Sequence, residues 1–331
     1  MGDPRLPPGR ATAMLVLTTL LWGLSFPLVK NWQEASGACP GGELLASLTL
    51  IAVRMGLALL LLAVVRPGLF TRASRREHAA GAVIGLAFGA GFVLQVWGLA
   101  RTSPALSAFL TSLAGAWVPL LAYAFCRLTA PRLTLLGLGV GMAGAAVLGI
   151  DLRQPWMLGG GEGLTVLASV LFAGQIVLLD RLGQGLRPAY FTAGVLAATG
   201  GLALVGAVGL AGDGAGVMAW LEWTGAMLAR PAVLRDVLLL TVFSTLLAML
   251  LMNAYQPHVP ASRAGLIYLL EPVFASLFSL GMGHDPLTPR LLLGGGLILG
   301  GNLLVELPRW LREGRKGRPG NARTPAKNRG P

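Results

Sequence analysis

The stretch Ala261–Met282, ASRAGLIYLLEPVFASLFSLGM, decides how the chain is read. Its 22 residues suffice to cross a bilayer, which takes about 20 mostly apolar residues. Yet it carries Glu271 near its middle, followed directly by Pro272. A carboxylate at that depth costs roughly 2.5–3.5 kcal/mol on insertion scales. Proline there removes a backbone donor and bends the helix. A span that tolerates both is expected to face protein or a water-filled cavity rather than lipid.

The rest of the chain fits that reading. It is 54% hydrophobic and 12% charged, with mean hydropathy +0.69. An average soluble protein is about 25% charged. Soluble classes are excluded, and the fold class expected is an all-α polytopic membrane protein. Gly contributes 47 of 331 residues, the composition of closely packed membrane helices. The net charge of +12 does not indicate a nucleic-acid partner, because no soluble basic domain carries it.

Ten apolar runs qualify as spans: 12–30, 44–65, 79–99, 104–126, 132–150, 163–182, 188–211, 235–256, 261–282 and 289–307. Residues 11–29 read as an uncleaved first span. The longest connection, 212–234, holds Trp220, Glu222 and Trp223 and reads as an external, interfacial helix with Trp at headgroup level. After Pro308 the tail is basic, rich in Gly and Pro, and expected to be disordered. Lys and Arg divide unevenly between the two faces. Nineteen of the 26 fall at the N-terminus, in the loops after spans two, four, six and eight (where Arg263 is counted), and in the tail. Six fall on the opposite side, and Arg54 lies within span two. The positive-inside rule then places both termini in the cytoplasm of a multi-pass cell-membrane protein. Cys39 and Cys126 fall on opposite faces and are not expected to pair.

An internal repeat runs through these spans. Leu128-Thr129-Ala130-Pro131-Arg132-Leu133 before span five matches Leu287-Thr288-Pro289-Arg290-Leu291 before span ten. Pro104-Ala105 opens span four as Pro260-Ala261 opens span nine, and Trp117-Val118-Pro119-Leu120 echoes Leu270-Glu271-Pro272-Val273. Each half has five spans, an odd number, so the second half enters from the opposite side. The expected fold is ten transmembrane helices as two inverted five-helix repeats, an architecture of secondary transporters with the site at the repeat interface. The repeats occupy 12–150 and 163–307. They are joined by an external loop at 151–162 and flanked by residues 1–11 and the tail 308–331.

Several motifs in order resemble the drug/metabolite transporter (DMT) superfamily and its EamA-type permeases. They are Leu21-Trp22-Gly23-Leu24-Ser25-Phe26-Pro27-Leu28-Val29-Lys30, mid-helix Arg54, Gln95-Val96-Trp97-Gly98-Leu99, Thr102-Ser103-Pro104-Ala105, Phe109-Leu110-Thr111-Ser112-Leu113 and Leu270-Glu271-Pro272-Val273-Phe274-Ala275. The resemblance covers about residues 12–307. It implies a central cavity lined largely by spans one, three, four, six, eight and nine, and a small organic solute. Where many relatives carry Glu before spans five and ten, this chain has Arg127 and Asp285.

Glu271 is the leading candidate site residue, for a proton or a cationic solute group. Alternatively it satisfies backbone groups freed by Pro272, or pairs with Arg54 as an anchor or gate. Lys30 and Asp180 end spans one and six and could gate the two mouths or act as interfacial anchors. Trp22, Phe26, Trp97 and Trp117 could wall a solute pocket or simply pack. Gln95, Gln175, Asn253 and Tyr268 could bind solute or tie helices together. Gly137/Gly141, Gly296/Gly300 and the Gly81, Gly85, Gly89 series have GxxxG spacing. They suit close helix contact, and through spans five and ten a homodimer. His78, His258 and His284 are in loops, and no H-E-x-x-H, paired-cysteine or P-loop pattern occurs. No enzyme chemistry, cofactor or metal is expected. The functional expectation is a secondary transporter, an exporter coupled to protons or exchange. A passive facilitator or channel, and a non-transporting scaffold, are the alternatives.

Overall fold

The structure, a computed structural model, describes residues 9–149, 159–283 and 287–316, the side chains of 149 and 309–316 excepted. The expectations for Asp285, His284, the end of the tail and most of the 151–162 loop lie outside those residues.

Among the described residues nine helices are long and apolar enough to cross a membrane: Arg10–Ala35, Gly42–Val65, Arg75–Leu99, Pro104–Cys126, Gly160–Leu182, Pro188–Ala211, Pro231–His258, Ala261–Gly281 and Pro289–Pro308. The shorter apolar helix Arg132–Leu148 supplies the fifth crossing of ten. Helix starts follow local chemistry. Ser74 and Glu77 form a reciprocal capping box at span three. Ser103 accepts from the Leu106 amide at 3.2 Å, with Pro104 in the first turn of span four. Span eight begins at Pro231, before the expected 235, because proline at the first helical position extends the helix toward Arg230.

Three spans are broken. Span one divides into Arg10–Gly23 and Ser25–Ala35, span four into Pro104–Ser112 and Ala114–Cys126, and span nine into Ala261–Tyr268 and Glu271–Gly281. Two breaks have a direct cause. Pro27 and Pro272 lack the N–H that would meet the carbonyls of Gly23 and Tyr268, and the helices part beside those carbonyls. Span eight has a different irregularity, a π-helical stretch Leu240–Leu247. Such stretches are rare and are frequently found at functional sites.

The packing respects exchange of the two halves. Span three lies against spans six and seven, and span eight against spans one and two. Spans two and seven, four and nine, and five and ten pair with each other. This is the contact pattern of two inverted five-helix repeats. The five–ten seam is made by glycine. A Cβ on Gly144 would stand 2.5 Å from the Gly294 carbonyl oxygen, and one on Gly137 2.7 Å from that of Gly301. Gly137 and Gly141 are therefore taken by contacts inside the chain, whereas Gly296 and Gly300 are exposed on the outer surface. In the same way Gly81 meets Gly194 of span seven.

The link between spans seven and eight contains the helix Gly214–Leu228, capped by Asp213, which accepts from the Gly216 amide at 2.9 Å. Its Trp220 is buried and donates to Thr49 Oγ1 of span two at 2.7 Å. Trp223 meets Trp32 edge-on at 6.0 Å. Trp220→Phe keeps most of the packing and loses the bond, so it is expected to lower stability by about 1 kcal/mol in detergent unfolding. Thr49→Val should lose a similar amount, and the two losses should not add.

Candidate functional site

Where the halves meet, spans one, two, three, four, six, eight and nine enclose a cavity of about 70 Å³. Six of the residues singled out from the sequence line it: Trp22, Arg54, Gln95, Gln175, Tyr268 and Glu271. The break in span nine sets Glu271 in the first turn of its second helix, while the break in span one places Trp22 and Ser25 on the opposite wall. Irregular backbone at membrane depth is tolerated where it borders such a cavity.

Glu271 is 8% exposed. Among the described residues its carboxylate makes no ion pair with Arg54 or with any other cation. Arg54, 2% exposed, is held otherwise. Its Nε donates to Thr245 Oγ1 on the π-helical stretch at 2.8 Å, and its guanidinium lies 5.0 Å over the Phe92 ring. Nη1 has no protein acceptor. The two ionisable groups thus share one cavity without pairing directly.

Tyr268 Oη donates to Gln256 Oε1 at 3.0 Å, and Gln256 Nε2 to the Ile176 carbonyl at 2.8 Å. The Tyr268 ring stands 5.3 Å from Trp22. These four residues join spans one, six, eight and nine at the wall of the cavity. Toward the other end, Gln95 Nε2 donates to Thr111 Oγ1 at 2.8 Å. Phe88, Phe92 and Phe172 line one side, with centroids 5.3 Å and 5.7 Å apart from Phe88. The aromatic wall thus comes from these phenylalanines and Trp22. Phe88 and Phe92 are four residues apart on one helix face, the signal that could have found them.

The other singled-out residues lie elsewhere. Phe26 is in the core at 2% exposure. Trp117 Nε1 donates to Ser169 Oγ at 3.2 Å, tying span four to span six. Arg101 covers the Trp97 ring at 5.1 Å. Asn253 Nδ2 donates to Thr192 Oγ1 at 2.9 Å. Lys30 Nζ reaches the Thr102 carbonyl at 3.4 Å. Asp180 is half-buried near the end of span six and does not line the cavity.

A second buried charge cluster was not legible as such. Arg263, counted above among loop charges, is 9% exposed inside span nine. Its Nε and Nη2 donate to both carboxylate oxygens of Glu306 in span ten, and Nη2 also to Thr12 Oγ1 of span one at 2.7 Å. The span needs a buried partner for that guanidinium and finds it 43 residues away. On the same face Glu77 accepts from Arg187 Nε at 2.8 Å and Nη2 at 2.7 Å, joining spans three and seven. The Glu77 carboxylate raises the Arg187 guanidinium above its ordinary pKa.

A family model described as the EamA-like transporter family matches residues 10–150 and again 159–307. The chain belongs to the EamA-like transporter family. The two matches coincide with the halves that enclose the cavity, and this EamA-like protein is a membrane transporter of the drug/metabolite type. It also resembles a crystal structure with a TM-score of 0.67 at 18% identity, over 93% of this chain and 100% of that one, which supports the fold. No curated protein matches it.

Proposed function

We propose that the protein is a secondary transporter of small organic metabolites that works by alternating access, the two halves rocking about the cavity between them. The observation that carries this reading is Glu271. It is a buried carboxylate with no ion-pair partner among the described residues, at a helix break, facing a cavity bordered by both repeats. A volume of about 70 Å³ holds a few waters or a very small solute, whereas sites for drug-sized ligands run to about 300–1,000 Å³. A larger metabolite therefore enters only as the halves part, which is the motion of a carrier rather than of an open pore.

Export across the cell membrane, with both termini cytoplasmic, follows the charge bias and the family. Proton or exchange coupling would act through Glu271. A homodimer, if formed through span ten, would use its outward Gly296 and Gly300. A screen of uptake and efflux in vesicles, wild type against Glu271→Gln, tests the reading. Transport of the identified solute is expected to fall at least about tenfold, the equivalent of one lost charge-assisted contact. Unchanged transport with unchanged pH dependence would make the carboxylate structural. Counterflow separates a carrier from a passive facilitator, since only a carrier drives labelled solute by exchange.

A further inference from the structure

We infer that the cavity is built for an amphoteric solute, with Arg54 receiving its anionic group and Glu271 its cationic or hydrogen-donating end. This deepens the transport reading above and rests on it. The argument begins with how Arg54 is held. Of the guanidinium's donors, only Nε is satisfied by protein, through Thr245. Both terminal nitrogens lack a protein acceptor among the described residues, and Nη1 is fully buried. Two parallel N–H donors in a fixed plane are the complement of a carboxylate or phosphate. Phe92 beneath the plane and Thr245 at its edge fix the fork's direction, so little rotamer freedom remains to be lost on binding.

Glu271 presents a carboxyl group, which bears the opposite charge when ionised, to the same space. A buried charge left without a partner is costly, and the cost is recovered when a ligand supplies the missing group. A solute that is only a cation would answer Glu271 and leave Arg54 unmet. A purely anionic solute would do the reverse. A molecule carrying both satisfies both and adds no net charge to a low-dielectric site. The phenylalanines and Trp22 that line the same cavity offer its middle portion an apolar surface to lie on. Thr245 is then a positioning residue: it touches no solute and acts by aiming Arg54.

The test uses the full chain in detergent, with Cys39 and Cys126 replaced by alanine and Ser25→Cys as a reporter. Ser25 lines the cavity. Labelling rates are compared for a sulfonate-bearing and a trimethylammonium-bearing methanethiosulfonate. Relative to the reporter alone, Arg54→Gln is expected to slow the anionic reagent against the cationic one about tenfold, and Glu271→Gln to shift the ratio the other way. Arg54→Lys should keep the ratio near that of the reporter. Thr245→Val should shift it as Arg54→Gln does, more weakly, with Thr245→Ser restoring it. Zwitterions from β-alanine to 4-aminobutyrate are expected to slow labelling, and propionate or propylamine to do so much less. A ratio insensitive to Arg54, equal protection by the amine, or no protection by any zwitterion overturns the inference. A reporter that labels only after denaturation instead overturns the transport-site reading itself, because no solute path then reaches the cavity.

Discussion

Glu306→Ala is expected to cost about 3–5 kcal/mol of stability, the penalty for leaving one member of a buried ion pair without its partner. Arg263 would remain 9% exposed between spans one, nine and ten, with Thr12 as its last acceptor. The fork onto both oxygens of Glu306 is the geometry in which an Arg–carboxylate pair is strongest, so its loss is felt in full. Detergent-solubilised protein should unfold at much lower temperature, and limited proteolysis should open the span-ten end first. Glu306→Gln, which retains one acceptor oxygen, should fall between. Arg263→Met with Glu306→Leu should recover most of the loss, because replacing both charges removes the desolvation cost along with the attraction. A Glu306→Ala protein as stable as wild type would show that water already reaches the pair.

Gly144→Val is the second large effect. Even the first added carbon would sit 2.5 Å from the Gly294 carbonyl oxygen and 2.8 Å from the Ile298 nitrogen. Those are backbone atoms, so no side chain can swing aside to make room. The two helices must separate along the whole seam, forfeiting the contacts at Gly137 and Gly301 as well. Overpacking usually costs about 1–3 kcal/mol, and a clash against backbone belongs at or above the upper end. The matched control is Gly139→Ala in the same helix. Nothing lies within 4 Å of that Cβ, and alanine there should be neutral or mildly stabilising by up to about 1 kcal/mol. A thermal-shift comparison of the pair separates seam packing from helix propensity. Equal behaviour of the two variants would refute the seam.

The gross architecture was legible because lipid imposes a strong constraint on sequence. Every span must be about 20 residues of mostly apolar side chain, and that pattern survives without knowing any contact. The repeat was legible for a similar reason, since Pro-Ala at the openings of spans four and nine marks local helix starts. Glu271 stood out because a carboxylate beside a proline is rare at that depth. What stayed hidden depends on partners distant in sequence. Arg263 looked like a loop charge because it sits two residues into its helix, and nothing local points to Glu306. Phe88 and Phe92 are ordinary apolar residues until the fold turns their face inward. Trp97 and Trp117 looked like wall residues for the complementary reason, that an indole reads the same in a pocket and in a helix seam. The π-helical stretch that places Thr245 against Arg54 leaves no compositional mark in Leu240–Leu247.

The helix Gly214–Leu228 follows span seven, and the matching connection after span two, between Val65 and Arg75, carries no helix of that kind. An inverted pair of perfect copies would have two interchangeable doorways and no preferred resting orientation. Here the halves are joined on one face by indoles, Trp220 on Thr49 and Trp223 on Trp32, with Asn31 donating to Asp236 beside them, and on the other face by the Glu77–Arg187 clasp. Prising each open breaks a different set of contacts. Under the alternating access proposed above, the outward and inward strokes are expected to have unequal barriers, and salt that loosens the Glu77–Arg187 clasp to speed one stroke more than the other.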